Sequence, residues 1–169
     1  MTHPTHTHHP CRQNRNTGAP GGAQSTFKRD LQQIFMIWTG RYADQAAIVR
    51  SGAVPVCITV GRPRFRLQYK LVEEISLFAP NGHLFTMNDP EELRKALYAR
   101  LDRAGIEKVR GILSNISARH GGRDLILLCF EDLRKPGEWC HRQLIADWLN
   151  ENGMISQEIG EVESQLSLF

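Results

Sequence analysis

The sequence predicts an α/β domain of three layers, a mainly parallel sheet flanked by helices. Three observations carry that expectation. Short apolar runs suited to buried strands alternate with stretches of helical periodicity. One run, Asp124-Leu125-Ile126-Leu127-Leu128-Cys129-Phe130, is apolar without interruption after its first residue, as a strand at the centre of a parallel sheet is. The order strand, short helix, strand, helices, strand, helix, strand is that of crossover-connected parallel strands.

The elements follow in chain order. Residues 1–26 are rich in Thr, His, Pro, Asn and Gly and carry almost no large apolar side chain, so they are expected to be a disordered tail. His3, His6, His8, His9 and Cys11 offer adventitious metal ligands there, but a flexible tail pre-organises nothing. The α/β domain is expected over 27–160. Ile34-Phe35-Met36-Ile37-Trp38 reads as its first strand. A helical turn follows over Asp44 to Arg50, closed by Gly52. Val54-Pro55-Val56-Cys57-Ile58-Thr59-Val60 is a second strand, rich in β-branched residues. Leu71, Val72, Ile75 and Phe78 recur at helical spacing, which predicts a helix over 69–78, broken by Pro80-Asn81-Gly82.

Asp89-Pro90-Glu91-Glu92 is a helix start: an N-cap Asp, a proline in the first turn, and acids at the positive end of the dipole. That helix is expected to reach Ala104, and a second to run from Ile106 to Arg119 before Gly121-Gly122. After the 124–130 strand, a helix is expected from Cys140 to Asn152, stopped by Gly153, then a last strand over Ile155 to Ile159. Residues 161–169 are expected to be a flexible tail, polar over 161–164 and ending in two leucines and a phenylalanine.

The composition is 41% hydrophobic and 23% charged over 169 residues, that of an ordinary globular chain large enough for one core. The net charge of +3 is too small to imply nucleic-acid binding by itself. No apolar run reaches the ~20 residues a membrane span needs, and no apolar leader opens the chain, so a cytoplasmic protein is expected. Four cysteines in such a chain are reduced thiols, metal ligands or core residues rather than a disulfide framework.

Chemistry concentrates between Cys129 and Arg142. In open α/β sheets ligands sit beyond the carboxyl ends of strands. Cys129 and Glu131 lie at such an end, and Cys140, His141 and Arg142 open the next helix, so the two groups are expected to border one cleft. A helix N-terminus lowers the pKa of a thiol and binds anions, and Arg142 and Arg134 stand beside this one. Two chemistries fit: a nucleophilic or redox thiol at Cys140, or a metal site, zinc by its donor types, using Cys129, Cys140 and His141 as ligands with Glu131 as a candidate fourth. The plain alternative makes Cys129 a buried strand residue, Cys140 a small filler and His141 a surface residue. No Cys-x-x-Cys pair strengthens the zinc reading. There is no G-x-G-x-x-G after a strand, which argues against a dinucleotide fold. Arg62, Arg64, Arg66 and Lys70 form a basic cluster after the second strand, with Phe65 and Tyr69 interleaved. These arginines, with Arg134, are candidates for phosphate or nucleic-acid contacts.

The stretch Leu127-Leu128-Cys129-Phe130-Glu131, followed by Trp139-Cys140-His141-Arg142 and an apolar helix, resembles the uncharacterised family called domain of unknown function 488. Ile58-Thr59-Val60-Gly61-Arg62-Pro63 resembles that family's second strand. The resemblance spans about 34–160 and implies an α/β fold with a shared site at Cys129, Glu131, Cys140, His141 and Arg142, the candidate catalytic residues. It implies no particular reaction.

The last five residues, Gln165-Leu166-Ser167-Leu168-Phe169, resemble the short motif by which bacterial polymerases and repair proteins bind the DNA sliding clamp. Leu168 and Phe169 would be the buried anchors, worth about 3–6 kcal/mol before the ordering cost, and Gln165 would orient the peptide through its amide. The alternative is that these side chains pack back on the domain. Two functional expectations result. One is a nucleic-acid-associated protein, a DNA repair or processing enzyme with a Cys/Glu/His/Arg cleft, tethered to the clamp. The other is a non-catalytic binding module with a structural Cys/His metal site.

Overall fold

A computed structural model describes residues 35–160. The His-rich segment 1–26, Ile34 of the expected first strand, and the tail 161–169 with its clamp-like motif lie outside the described residues. The elements are β1 (Ile37–Arg41), α1 (Gln45–Ser51), β2 (Val54–Cys57), β3 (Glu73–Glu74), a 3-10 turn (Gly82–Thr86), α2 (Pro90–Ala104), α3 (Ile106–Arg119), β4 (Leu125–Cys129), α4 (His141–Glu151) and β5 (Ser156–Glu158). The five strands form one sheet in the order β3-β2-β4-β1-β5, and every pairing is parallel.

Strand order and crossover hand together dictate the layers. The connection from β1 to β2 crosses β4 in one direction. Those from β3 to β4 and from β4 to β5 run the other way. Crossovers of one hand that travel in opposite directions lie on opposite faces. Accordingly α1 covers one face, where Ile48 packs with Ile126, Leu128, Cys57 and Tyr42. Helices α2, α3 and α4 cover the other, where Leu97, Leu101, Leu113, Ile145 and Trp148 pack with Leu125 and Leu127. The alternation of β4 side chains between the two cores is the period of two of any strand, and because both faces are covered all five residues are buried. Each fully buried leucine is worth about 1.5–3 kcal/mol of burial.

The helix ends are those the residues specify. Asp89 accepts from the backbone N–H groups of Glu91 and Glu92 with Pro90 in the first turn. Gly52 closes α1 at a φ of 66°, a left-handed position that favours glycine. At the amino edge of the sheet Asp124 accepts from Met36 N at 2.8 Å and from Trp38 Nε1 at 3.4 Å, which helps to hold the pairing of β1 with β4.

Three expectations about elements are corrected. The first strand lies further along than its apolar run, because pairing with β4 continues through Thr39, Gly40 and Arg41 to Cys129. Gly40 fits there because Ile159 and Ile126 leave no room for a side chain. The second strand ends at Cys57 rather than Val60. The helix over 69–78 does not form. Tyr69 and Leu71 pack against one core and Ile75 and Phe78 against the other, with Glu73–Glu74 pairing to Val56 and Cys57 between them. Apolar residues that serve both faces at a sheet edge can mimic the spacing of a single helical stripe.

Candidate functional site

Leu125, Leu127 and Cys129 share the face of β4 that α4 covers, so the Cys129 thiol points at the start of that helix. The start is Cys140 itself, in an extended conformation with φ −149° and ψ 144°. Its sulfur accepts from Arg142 N at 3.4 Å, and Gln143 Oε1 accepts from Cys140 N at 3.2 Å. This reciprocal cap uses amide groups that an anion would otherwise seek at the helix end.

Cys129, Glu131, Cys140 and His141 come together, their ligand atoms all within 4.8 Å of one another. Both sulfurs lie against the same carboxylate oxygen, Glu131 Oε2, at 2.7 Å for Cys129 and 2.9 Å for Cys140. His141 Nδ1 is 3.4 Å from the Cys129 sulfur and 3.7 Å from that of Cys140. Its Nε2 is 2.8 Å from the carbonyl oxygen of Ile58, one residue past β2. A carbonyl only accepts, so Nε2 carries the hydrogen, and Nδ1 is the atom that takes either a proton or a metal. The two cysteines and the histidine are buried and Glu131 is half-buried.

The electrostatics split the two thiols. For Cys129, burial and the adjacent Cys140 push the pKa far above the ordinary thiol range. Burial opposes charge on Cys140 too, but hydrogen bonds from Cys129 and His141 and the imidazolium charge bring it down to about 6. Burial disfavours the His141 imidazolium, yet Cys140 raises its pKa. Burial would raise Glu131, but hydrogen bonds from both thiols keep it below its ordinary value. Of the two thiol protons, that of Cys140 is therefore the more readily lost. A divalent metal would displace those protons.

The donor set fits a metal. Tetrahedral zinc, with Zn–S about 2.3 Å and Zn–N about 2.1 Å, separates sulfur and nitrogen ligands by about 3.6 Å. The two sulfur–nitrogen distances bracket that value, whereas Glu131 Oε2, at 2.7 and 2.9 Å from the sulfurs, is closer than a fellow ligand of one tetrahedral ion and would have to move outward to bind it. Two soft sulfurs, an imidazole and a hard carboxylate oxygen, with the far ring nitrogen tied to a backbone carbonyl, are a mixed donor set with its supporting contact. The group can hold a metal ion.

Arg142 is not part of that cluster. Its buried guanidinium donates to Glu158, with Nη2 2.9 Å from Oε1, and to the Glu131 carbonyl oxygen at 2.8 Å. Thr39 Oγ1 donates to the other oxygen of Glu158. This network joins α4, β1, β5 and the loop carrying Glu131. Arg134 is likewise engaged, donating to Asp132 at 2.7 Å and to Asp44 at 3.2 Å, while Arg41 pairs with Asp132. The hydrogen bond from Arg134 holds Asp132 down at about 2. A wide cleft of about 1010 Å³ opens beside Arg142, Arg134, Asp44, Asp132 and Glu158, and none of the four clustered residues lines it. The single cleft expected from the sequence is thus divided: the arginines border open space, and the cysteines, histidine and glutamate form a closed group behind them.

Among the basic-loop residues, Arg62 donates to the Leu71 carbonyl oxygen at 3.0 Å and lies 4.0 Å from Glu74. Arg64 and Arg66 are exposed, and their guanidinium groups contact no partner among the described residues. Two contributors escaped the sequence reading: Glu158, an isolated acid in a short edge strand, and the Ile58 carbonyl, a backbone atom with no sequence signature. Comparison with protein-family models, curated proteins and solved structures found no match to this chain.

Proposed function

We propose that this chain is a nucleic-acid-associated module whose fold is pinned by a zinc ion at Cys129, Glu131, Cys140 and His141, and which its last five residues tether to the DNA sliding clamp. The observation that carries the metal assignment is His141: its Nε2 is committed to the Ile58 carbonyl, and its Nδ1 faces both sulfurs. The burial of the three soft donors favours a structural ion over a catalytic one, since catalytic zinc keeps an open coordination position. The ion would tie β4, α4 and the residue after β2 together. Arg64 and Arg66, exposed and without a partner among the described residues, support the nucleic-acid part of the reading. The resemblance of Gln165 to Phe169 to clamp-binding peptides supports the tether. The cysteine, histidine and glutamate residues are also those by which the chain resembles domain of unknown function 488.

Metal analysis of the purified full chain tests the centre. One zinc per chain is expected, lost in Cys140→Ser and His141→Ala. A metal-free protein whose Cys140 is rapidly alkylated by iodoacetamide would instead favour an enzyme with a Cys140 nucleophile, the second reading, for which the low pKa of Cys140 speaks. For the tether, Leu168→Ala with Phe169→Ala should abolish clamp binding and leave the melting temperature unchanged. For the basic loop, replacing Arg62, Arg64 and Arg66 by alanine should flatten the salt dependence of nucleic-acid binding.

A further inference from the structure

Resting on the nucleic-acid reading above, we propose that the substrate class is single-stranded nucleic acid, whose unpaired bases stack on Phe130 and Phe65 while its phosphates lie along Arg62, Arg64 and Arg66. Three of the seven exposed large apolar residues among the described ones, Val60, Phe65 and Phe130, belong to the carboxyl edge of the sheet or the loop that leaves it.

Tyr42 holds them together. Phe130 follows the last residue of β4, and its ring packs on the Tyr42 ring at 4.9 Å between centroids. Thr59 lies two residues past the end of β2, level with Phe130 by the Cys57–Leu128 pairing, and its hydroxyl is 2.9 Å from that of Tyr42. The basic loop leaves immediately after Thr59. It returns at Tyr69, whose hydroxyl donates to the Tyr42 carbonyl oxygen at 3.1 Å. Gln45 fastens the middle of the return, with its amide donating to the Arg66 carbonyl oxygen at 3.2 Å and accepting from Gln68 N at 2.6 Å. Both ends of the loop that carries Val60, Arg62, Arg64, Phe65 and Arg66 are thus stapled to the residue on which Phe130 rests.

The chemistry of this rim selects the partner. An aromatic ring left 44% exposed on a rigid strand end offers a stacking platform, and Phe65 is 45% exposed on the loop. Arg64 and Arg66 flank Phe65 on the loop and pair with no acid among the described residues, whereas Arg41, Arg134 and Arg142 are each spent on an acid. Bases stacked inside a duplex cannot reach such rings, but the splayed bases of a single strand can, and stacking of this kind tolerates any base. A backbone threading the arginines brings phosphates to the charges and bases to the rings.

Fluorescence anisotropy of the full chain with a short labelled oligothymidylate, and with a duplex of the same length, tests this. Phe130→Leu and Phe65→Leu keep the apolar contact but remove the flat ring. Each should weaken single-strand binding about tenfold, leaving duplex affinity and melting temperature unchanged. Replacing Arg62, Arg64 and Arg66 by alanine should weaken both ligands. Single-strand affinity that survives both phenylalanine changes overturns the stacking surface while leaving the nucleic-acid reading intact, as does equal loss of single-strand and duplex binding. A parent protein that binds neither ligand overturns both.

Discussion

Glu158→Gln is the most informative single change outside the cluster of Cys129, Glu131, Cys140 and His141. The substitution keeps the shape of the side chain and removes the negative charge that faces Arg142. In the parent, Arg142 Nε and Nη2 approach the two carboxylate oxygens at 2.9–3.2 Å, and only Nη1 has another acceptor, the Glu131 carbonyl. Arg142 is 2% exposed in its side chain and Glu158 is 23% exposed. Removing one partner of a buried pair costs about 3–5 kcal/mol, because the remaining charge stays out of water. The partial exposure of Glu158 admits some replacement hydration, so the lower end of that range, about 3 kcal/mol, applies. At roughly 3–4 °C per kcal/mol for a domain of this size, the melting temperature should fall by about 10 °C. Arg142→Met combined with Glu158→Leu should recover much of the loss, since a well-packed apolar pair escapes the desolvation penalty. Thermal melts of the two single variants and the double variant measure the coupling. A Glu158→Gln protein within 2 °C of the parent by that scale, or strictly additive losses in the cycle, would refute the buried-charge reasoning.

Other outcomes test the fold at separate places. Gly40→Ala should destabilise by about 1–3 kcal/mol, because the new Cβ would lie 3.0 Å from Ile159 Cγ2 and 3.1 Å from Ile126 Cδ1 in the middle of the sheet; chemical denaturation reads this directly. Asp89→Ala should cost about 1 kcal/mol through the amide groups of Glu91 and Glu92 left without their cap, with Asp89→Ser restoring most of it. Glu73 has its pKa lowered chiefly by Arg119, with His120 adding to the effect against burial. Its contribution is present above the ordinary value of 4.5 and is lost as the pH falls through the lowered one. Glu73→Gln should therefore be less stable than the parent at neutral pH by under about 1 kcal/mol, screened by the exposure of Arg119, and the difference in melting temperature should vanish in acid.

Much of this protein is written locally. The cap at Asp89-Pro90, the glycine stop at Gly52 and the apolar run of β4 are short-range signals, because caps, turns and strand burial depend on a few adjacent residues. From those elements and their order the α/β class followed, and so did the meeting of Cys129 and Glu131 with Cys140 and His141, since a strand end and the helix after it lie at one edge of a parallel sheet. The tertiary structure alone decided the rest. It assigned the apolar residues of 69–78 to two cores, which their spacing could not reveal. It turned Arg142 away from the cluster, because an acid sixteen residues later in an edge strand offered a buried guanidinium its counter-charge. It chose the ring nitrogen of His141 that faces the sulfurs by presenting the Ile58 carbonyl, eighty-three residues earlier, to the other one. Those are long-range pairings between single atoms, and side-chain identities near either partner do not encode them.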